Sequence, residues 1–258
     1  RFVTGEGPKL DPMETGSEIT ETMIAGMTPK LTPVATAISN CRAALATDKA
    51  LIGFAGAPWT IITYLLEGGS SRDFATARRW MWENNVHFDR LLDLVSLATA
   101  DFLALQAEAG ADALMLFDSW ASAVPSHLRN KVVIDPVNRI TGILRDRGIE
   151  TPLIGFPKGI GEGLIEYCNE AELQGVGIDH GVDMRWAAAT LPSHLTLQGN
   201  LDPVSLIAGG DAMARAIDEI LDATSGRPHV FNLGHGITPQ TPIEHVHDLL
   251  ARARGQVS

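Results

Sequence analysis

In the stretch Gly53-Phe-Ala-Gly-Ala-Pro-Trp-Thr-Ile-Ile-Thr-Tyr-Leu-Leu-Glu-Gly-Gly69, an apolar run from Leu51 to Ala55 breaks into a loop punctuated by glycine and proline. The run reads as a strand. The loop carries Trp59 and then Tyr64, and closes on Gly68 and Gly69. Strand ends that open into aromatic, glycine-rich loops are where α/β folds hold ligands. Tyr64 also places a hydroxyl in an otherwise apolar run. A buried phenol needs a partner, and a ligand can supply one.

Working outward, five more short apolar runs have the same character: Ala113–Phe117, Pro152–Phe156, Gly175–Ile178, Leu195–Gln198 and His229–Leu233. Helical patterns separate them. Phe88, Leu91, Leu92, Val95, Phe102 and Leu105 recur at three- and four-residue spacing, and Gly110 ends that helix. Val34, Ile38, Cys41 and Leu45 do the same after Thr32-Pro33, read as a cap with proline at the first helical position. Asp135-Pro136 and Asp202-Pro203 repeat that signal, and Thr241-Pro-Ile-Glu244 reads as a capping box. Strands alternating with helices imply a parallel sheet with right-handed crossovers. The runs end in loops of one kind: Gly56–Trp59, Asp118–Trp120, Pro157–Gly159, Asp179–Gly181, Gly199–Asp202 and Gly234–Gly236. An open doubly wound sheet uses only the loops at its switch point. Polar residues at all six ends favour a (β/α)8 TIM-type barrel, whose strand ends share one mouth. Residues 1–30 read as irregular loop. The expectation is a single domain over residues 1–258 with six of eight strands, N-terminally incomplete, the other two lying upstream of Arg1.

Bulk properties narrow the function classes. The chain has 258 residues, 45% hydrophobic and 20% charged, enough for one large α/β domain or two small ones. Net charge is −11, from 20 basic and 31 acidic residues, which argues against nucleic acid because phosphate binding needs a basic face. An anionic small molecule would need local donors to overcome the overall field. Two cysteines, Cys41 and Cys168, fit a reducing cytosol better than a disulfide framework. No run of 18 apolar residues and no signal peptide is present in this sequence.

Several residues carry candidate chemistry. His235, in Asn232-Leu-Gly-His-Gly-Ile237, follows the last run, and a glycine on either side lets the backbone approach a ligand. A loop histidine held by its glycines is the plainer reading. Ser119, in Phe117-Asp-Ser-Trp-Ala121, lacks the Gly-x-Ser-x-Gly context of a nucleophile elbow and reads as a hydrogen-bonding hydroxyl. Asp118 beside it reads as a turn cap, and Tyr64 can equally be a core tyrosine. Gly159-Ile-Gly161-Glu-Gly163 has the wrong spacing for a dinucleotide fingerprint and reads as a tight turn. Metal sites look poor: Cys168 has no partner at ligand spacing, and His245 and His247 point to different helix faces. Of Arg72, Arg78 and Arg79, Arg72 lies nearest the loop.

Taken together, Gly53–Thr60 with Tyr64 and Glu67-Gly-Gly69, Leu116-Phe-Asp-Ser119, Gln198-Gly-Asn-Leu-Asp-Pro203 and Asn232-Leu-Gly-His-Gly236 resemble the uroporphyrinogen decarboxylase family. Phe2–Pro8 resembles that family's loop after the second barrel strand. The resemblance covers the whole chain. It implies a cytosolic (β/α)8 homodimer that converts the four acetate side chains of uroporphyrinogen III to methyls, giving coproporphyrinogen III, with no cofactor and no metal. It implies that Tyr64, Ser119 and His235 contact substrate carboxylates and propionates, with Tyr64 and His235 as the catalytic candidates. Phe54 and Phe117 would be apolar walls.

One departure stands out. The family's arginine-rich segment on the first strand and its aspartate on the second have no counterpart here. A substrate with eight carboxylates needs such arginines. Three rivals differ in testable ways: a corrinoid methyltransferase of the same superfamily would hold zinc, a phosphate-sugar enzyme on the same barrel would bind phosphate at Gly199 and Gly234–Gly236, and a porphyrinogen-binding scaffold would bind without releasing CO2. The expectation for the 258-residue chain alone is no activity. Coproporphyrinogen formed by the isolated chain, seen by chromatography of its porphyrin products, would refute that.

Overall fold

A computed structural model describes residues 2–3, 7–8, 11–13, 19–69 and 71–256. The chain divides into two compact units, residues 1–158 with 170–172 and residues 159–169 with 173–258.

The first unit opens with β1 (Phe2–Val3) antiparallel to β2 (Gly7–Pro8), followed by α1 (Glu21–Ala25), a 3₁₀ turn at Thr28–Leu31 and α2 (Thr32–Ala44). Three β/α steps follow: β3 (Ile52–Gly56) with α3 (Pro58–Glu67), α4 (Ala75–Glu83) and α5 (Asn85–Glu108), then β4 (Ala113–Asp118) with α6 (Asp135–Asp146), then β5 (Leu153–Pro157). The strands pair in parallel, Phe54 opposite Met115 and Phe117 opposite Phe156. One sheet face is apolar and covered by helices: Leu114, Leu116 and Leu153 are all buried. Gly53 lets α5 come close, since a Cβ there would lie 2.9 Å from Gln106 Oε1 and 3.1 Å from Leu114. The opposite face carries Phe54, Met115, Phe117, Ile154 and Phe156.

The second unit contains α7 (Gly163–Glu170), β6 (Gly175–Gly177), α8 (Met184–Thr190), β7 (Thr196–Leu201), α9 (Pro203–Ala208), α10 (Gly210–Ala223), β8 (His229–Leu233) and α11 (Ile243–Ala253). Here too the strands are parallel, Val176 opposite Leu197 and Asn200 opposite Asn232. Arg227 ties the start of β8 to the carbonyls of Ala188, Pro192 and Leu195 at 2.8, 2.9 and 2.9 Å. A bidentate Arg252–Asp218 pair, 2.7 and 2.6 Å, joins α11 to α10.

The α/β class of the (β/α)8 type therefore holds, with all six expected parallel strands present. Details differ from the sequence expectations. The stretch after β3 is a helix, not a loop: Pro58 occupies the first turn and Gly68, with φ 74°, ends it. Strand β7 runs on through Gly199-Asn200-Leu201, which read as loop. Asp202 caps α9 as expected, accepting from Val204 N–H at 2.9 Å. Thr32 instead lies inside α2 and donates to Pro29 C=O, at 2.9 Å. Asp135 continues a π-helical stretch, Asn130–Ile134, and α11 starts after Pro242 without a side-chain cap. Gly159–Gly163 is the expected turn, leading into α7. Thr4–Glu6, within the expected loop resemblance, lie outside the described residues.

Among the described residues, β3 pairs only with β4, and on its other side the Phe54 peptide bonds to a side chain. Phe54 N–H donates to Gln106 Oε1 and Gln106 Nε2 donates back to Phe54 C=O, both at 2.9 Å. The amide of a buried α5 side chain thus bonds both polar groups of the Phe54 backbone, as a neighbouring strand would. Gln106→Ala is expected to cost about 1–3 kcal/mol by leaving those groups unmet. An unchanged urea midpoint would contradict it.

Candidate active site

In the first unit, the ends of β3 and β4 are sewn together by side chains. Ala57 N–H donates to Phe117 C=O at 2.9 Å, and Trp59 Nε1 donates to Trp120 C=O at 3.0 Å. Between these, the Thr60 hydroxyl donates to Asp118 Oδ1 at 2.8 Å. Lys158 N–H, just past β5, donates to Asp118 C=O at 3.1 Å. Thr60 and Tyr64 are four residues apart on α3, so they share a helix face. That face is bonded to the residue immediately before Ser119. Both Tyr64 and Ser119 are half-buried.

The two expected apolar walls do meet. Phe54 and Phe117 pack edge-on with centroids 5.9 Å apart, and Phe117 packs edge-on against Phe156 at 5.8 Å. Sequence reading passed over Phe156. Its position opposite Phe117 in the β4–β5 register was the missing information. Phe54 is 60% exposed, Phe117 is half-buried, and Phe156 is buried in a cluster with Met115 and Ile154, so the row runs from an exposed edge into the core.

Asp118 is the residue whose role changed most. It is not a turn cap but a buried carboxyl at the end of β4, 3% exposed. Burial pushes it up to about 7, against the opposing pull of the Thr60 hydroxyl.

His235 lies in the second unit, exposed, in the loop after β8. Its neighbour Gly234 is buried and donates its N–H to Leu201 C=O at 2.8 Å. Tyr64, Ser119, Phe54 and Phe117 thus belong to one unit and His235 to the other. His245 packs, its Nδ1 2.9 Å from Leu206 C=O. Cys168 is buried and its thiol is pushed up to about 12, which makes it an inert thiol. Among the described residues no three His, Cys, Asp or Glu side chains group as a metal site, and no helix is long and apolar enough to cross a membrane.

The folded Asp118 holds its proton to higher pH than an unfolded aspartate, which ionises near about 3.9. Between about pH 4 and about 7 the folded chain binds the extra proton. Stability therefore falls as pH rises through that window and levels off above it. Asp118→Asn keeps an acceptor for Thr60 and cannot ionise. Its stability relative to wild type should rise across the window, by up to about 1.4 kcal/mol per pH unit. Urea midpoints that run parallel from pH 5 to 8 would contradict this.

Comparison with known proteins gives a consistent result. The sequence profile of a family described as uroporphyrinogen decarboxylase (URO-D) matches residues 1–256. A protein named uroporphyrinogen decarboxylase from Maricaulis maris is 43% identical over 253 residues, covering 98% of this chain and 73% of that protein. One of the same name from Rhizorhabdus wittichii is 45% identical over 258 residues, covering 99% and 74%. Among solved structures, a methyltransferase from Methanosarcina mazei aligns with a TM-score of 0.74 at 18% identity, covering 87% of this chain and 64% of the other. At that identity the likeness is one of fold alone. By profile and by relatives, this chain belongs to the uroporphyrinogen decarboxylase family.

Proposed function

We propose that the protein removes the carboxyl groups of the four acetate side chains of uroporphyrinogen III, giving coproporphyrinogen III in haem biosynthesis. Membership of the family over residues 1–256 carries this reading. The exposed Phe54 packed edge-on against the half-buried Phe117 supports it, as apolar area suited to one face of a large, flat macrocycle.

The chemistry sets what the site must do. When CO2 leaves an acetate, the electron pair of the broken bond needs a sink. A pyrrole ring protonated at carbon is such a sink, so the substrate takes the part that a cofactor plays elsewhere. The pair flows into the cationic ring, a second proton then converts the exocyclic carbon to a methyl, and the ring carbon gives up the first proton to restore the pyrrole. Per side chain, one proton replaces one CO2. The protein must deliver a proton, keep water from the cationic ring and return a proton to carbon.

Tyr64 and His235 are the candidates for handling those protons or holding the reacting carboxylate. Ser119 offers a hydroxyl to a substrate carboxylate. The phenylalanines exclude water from one face of the macrocycle. Asp118, beside Ser119 and tied to the Tyr64 helix through Thr60, couples these two residues to one buried acid. A cytoplasmic homodimer completes the reading.

The test is anaerobic incubation of the full-length protein with uroporphyrinogen III, then oxidation and chromatography of the porphyrins. Coproporphyrin should accumulate through seven-, six- and five-carboxyl intermediates. Recovery of unchanged uroporphyrin would overturn the proposal. Tyr64→Phe and His235→Gln should each lower kcat, by about 10²- to 10⁴-fold for whichever one transfers the proton. Ser119→Ala should lose about 10- to 100-fold in kcat/KM, the range for a hydrogen bond to a charged group.

A further inference from the structure

We propose that Asp179 is a positioning residue for His235, holding the loop after β6 against the glycine that precedes the imidazole. This rests on the reading of His235 as a site residue.

Asp179 stands just past the end of β6 and is 9% exposed. A carboxylate that far from water needs strong partners, and both its oxygens have one. Oδ1 accepts from Gly181 N–H and Oδ2 from Gly159 N–H, each at 2.8 Å. The first bond closes the 179–181 turn on itself. The second reaches the turn after β5. The backbone carbonyl of Asp179 is held as well, by Asn200 Nδ2 on β7 at 2.9 Å, and the same amide donates to Val182 C=O at 2.7 Å. Residues 179–182 are therefore gripped at both ends by buried polar side chains.

The middle of that segment is what reaches the candidate site. A Cβ built on Gly234 would lie 2.8 Å from His180 Cα, and its clash with the His180 amide nitrogen would be closer still. Backbone cannot move aside as a flexible side chain can. The Gly234 peptide is thus confined between His180 and its own bond to Leu201 C=O, at 2.8 Å. His235 is the next residue. Its starting point is set by a wall that Asp179 and Asn200 hold in place. A misplacement of about 1 Å in a reacting group can cost about 10²-fold in rate, so this wall bears directly on turnover.

Asp179→Asn tests the idea with little change in shape. One carboxylate oxygen becomes an NH2 facing a backbone N–H, so one grip becomes a donor–donor clash. The readout is the imidazole proton–carbon spectrum of the full-length protein, with His235 assigned from the signal missing in His235→Gln. The His235 signal should shift or broaden in Asp179→Asn. Those of His229 and His245, which make their own bonds to the carbonyls of Gly199 and Leu206, should stay in place. In the uroporphyrinogen assay kcat should fall about 10- to 100-fold while KM changes less than about threefold. Gly234→Ala presses on the same contact from the other side and should move the same signal, which covers the case in which Asp179→Asn does not fold. An unmoved His235 signal in either folded variant overturns the proposal, as does a uniform shift of all three imidazoles. If His235→Gln keeps full activity, the catalytic reading of His235 fails, and the spectrum still decides whether Asp179 positions it.

Discussion

Parallel pairing is the constraint on which the rest depends. Strands that run the same way must end on the same side, and each must be left by a crossover long enough to return to the start. Within each unit this brings three strand ends together whatever the intervening sequence. Phe117, Asp118 and Lys158 become neighbours of Ala57 and Thr60 because β3, β4 and β5 all stop there. The Asp179, Asn200 and Gly234 segments meet for the same reason at the ends of β6, β7 and β8. Nothing in their spacing along the chain brings them together.

The alternation of side chains within a strand then separates scaffold from site. In β4, Leu114 and Leu116 pack under helices, while Met115 and Phe117 face the other way. The helix-covered face supplies the burial that stabilises the unit. On the other face Met115, Ile154 and Phe156 are buried together, and Phe54 is the aromatic side chain left exposed. Gly53 and Phe54 show the division in two consecutive residues. The glycine admits α5 to one side of the sheet, and the phenylalanine on the other side is the most exposed member of the aromatic row.

Much of this was legible in the sequence, and the failures share a cause. The six strands declared themselves because a β-branched apolar run between helical patterns has few other readings. Their ends did not, since Gly199-Asn200-Leu201 contains the residues of a turn yet pairs with β8. Trp59 to Leu66 looked like loop because glycine and proline flank it, although proline at the start and glycine at the end are also the marks of a helix. Thr32, Asp135 and Thr241 had the chemistry of caps, and neighbouring turns took over the positions they would have filled. Gln106 gave no signal at all. Its role exists only because β3 lies beside it in space. Asp118 misled for the same reason: whether a carboxylate caps a turn or is buried depends on what lies above it.

Asp118 and Asp179 show how the same residue type near strand ends can serve opposite ends. Asp118 ends β4, Asp179 stands just past β6, and both are buried. Asp179 takes two backbone N–H bonds, which fix the peptides around it. Asp118 has the Thr60 hydroxyl as its side-chain donor, and burial outweighs that bond. One carboxylate therefore holds a loop in place, and the other can carry a proton near neutral pH.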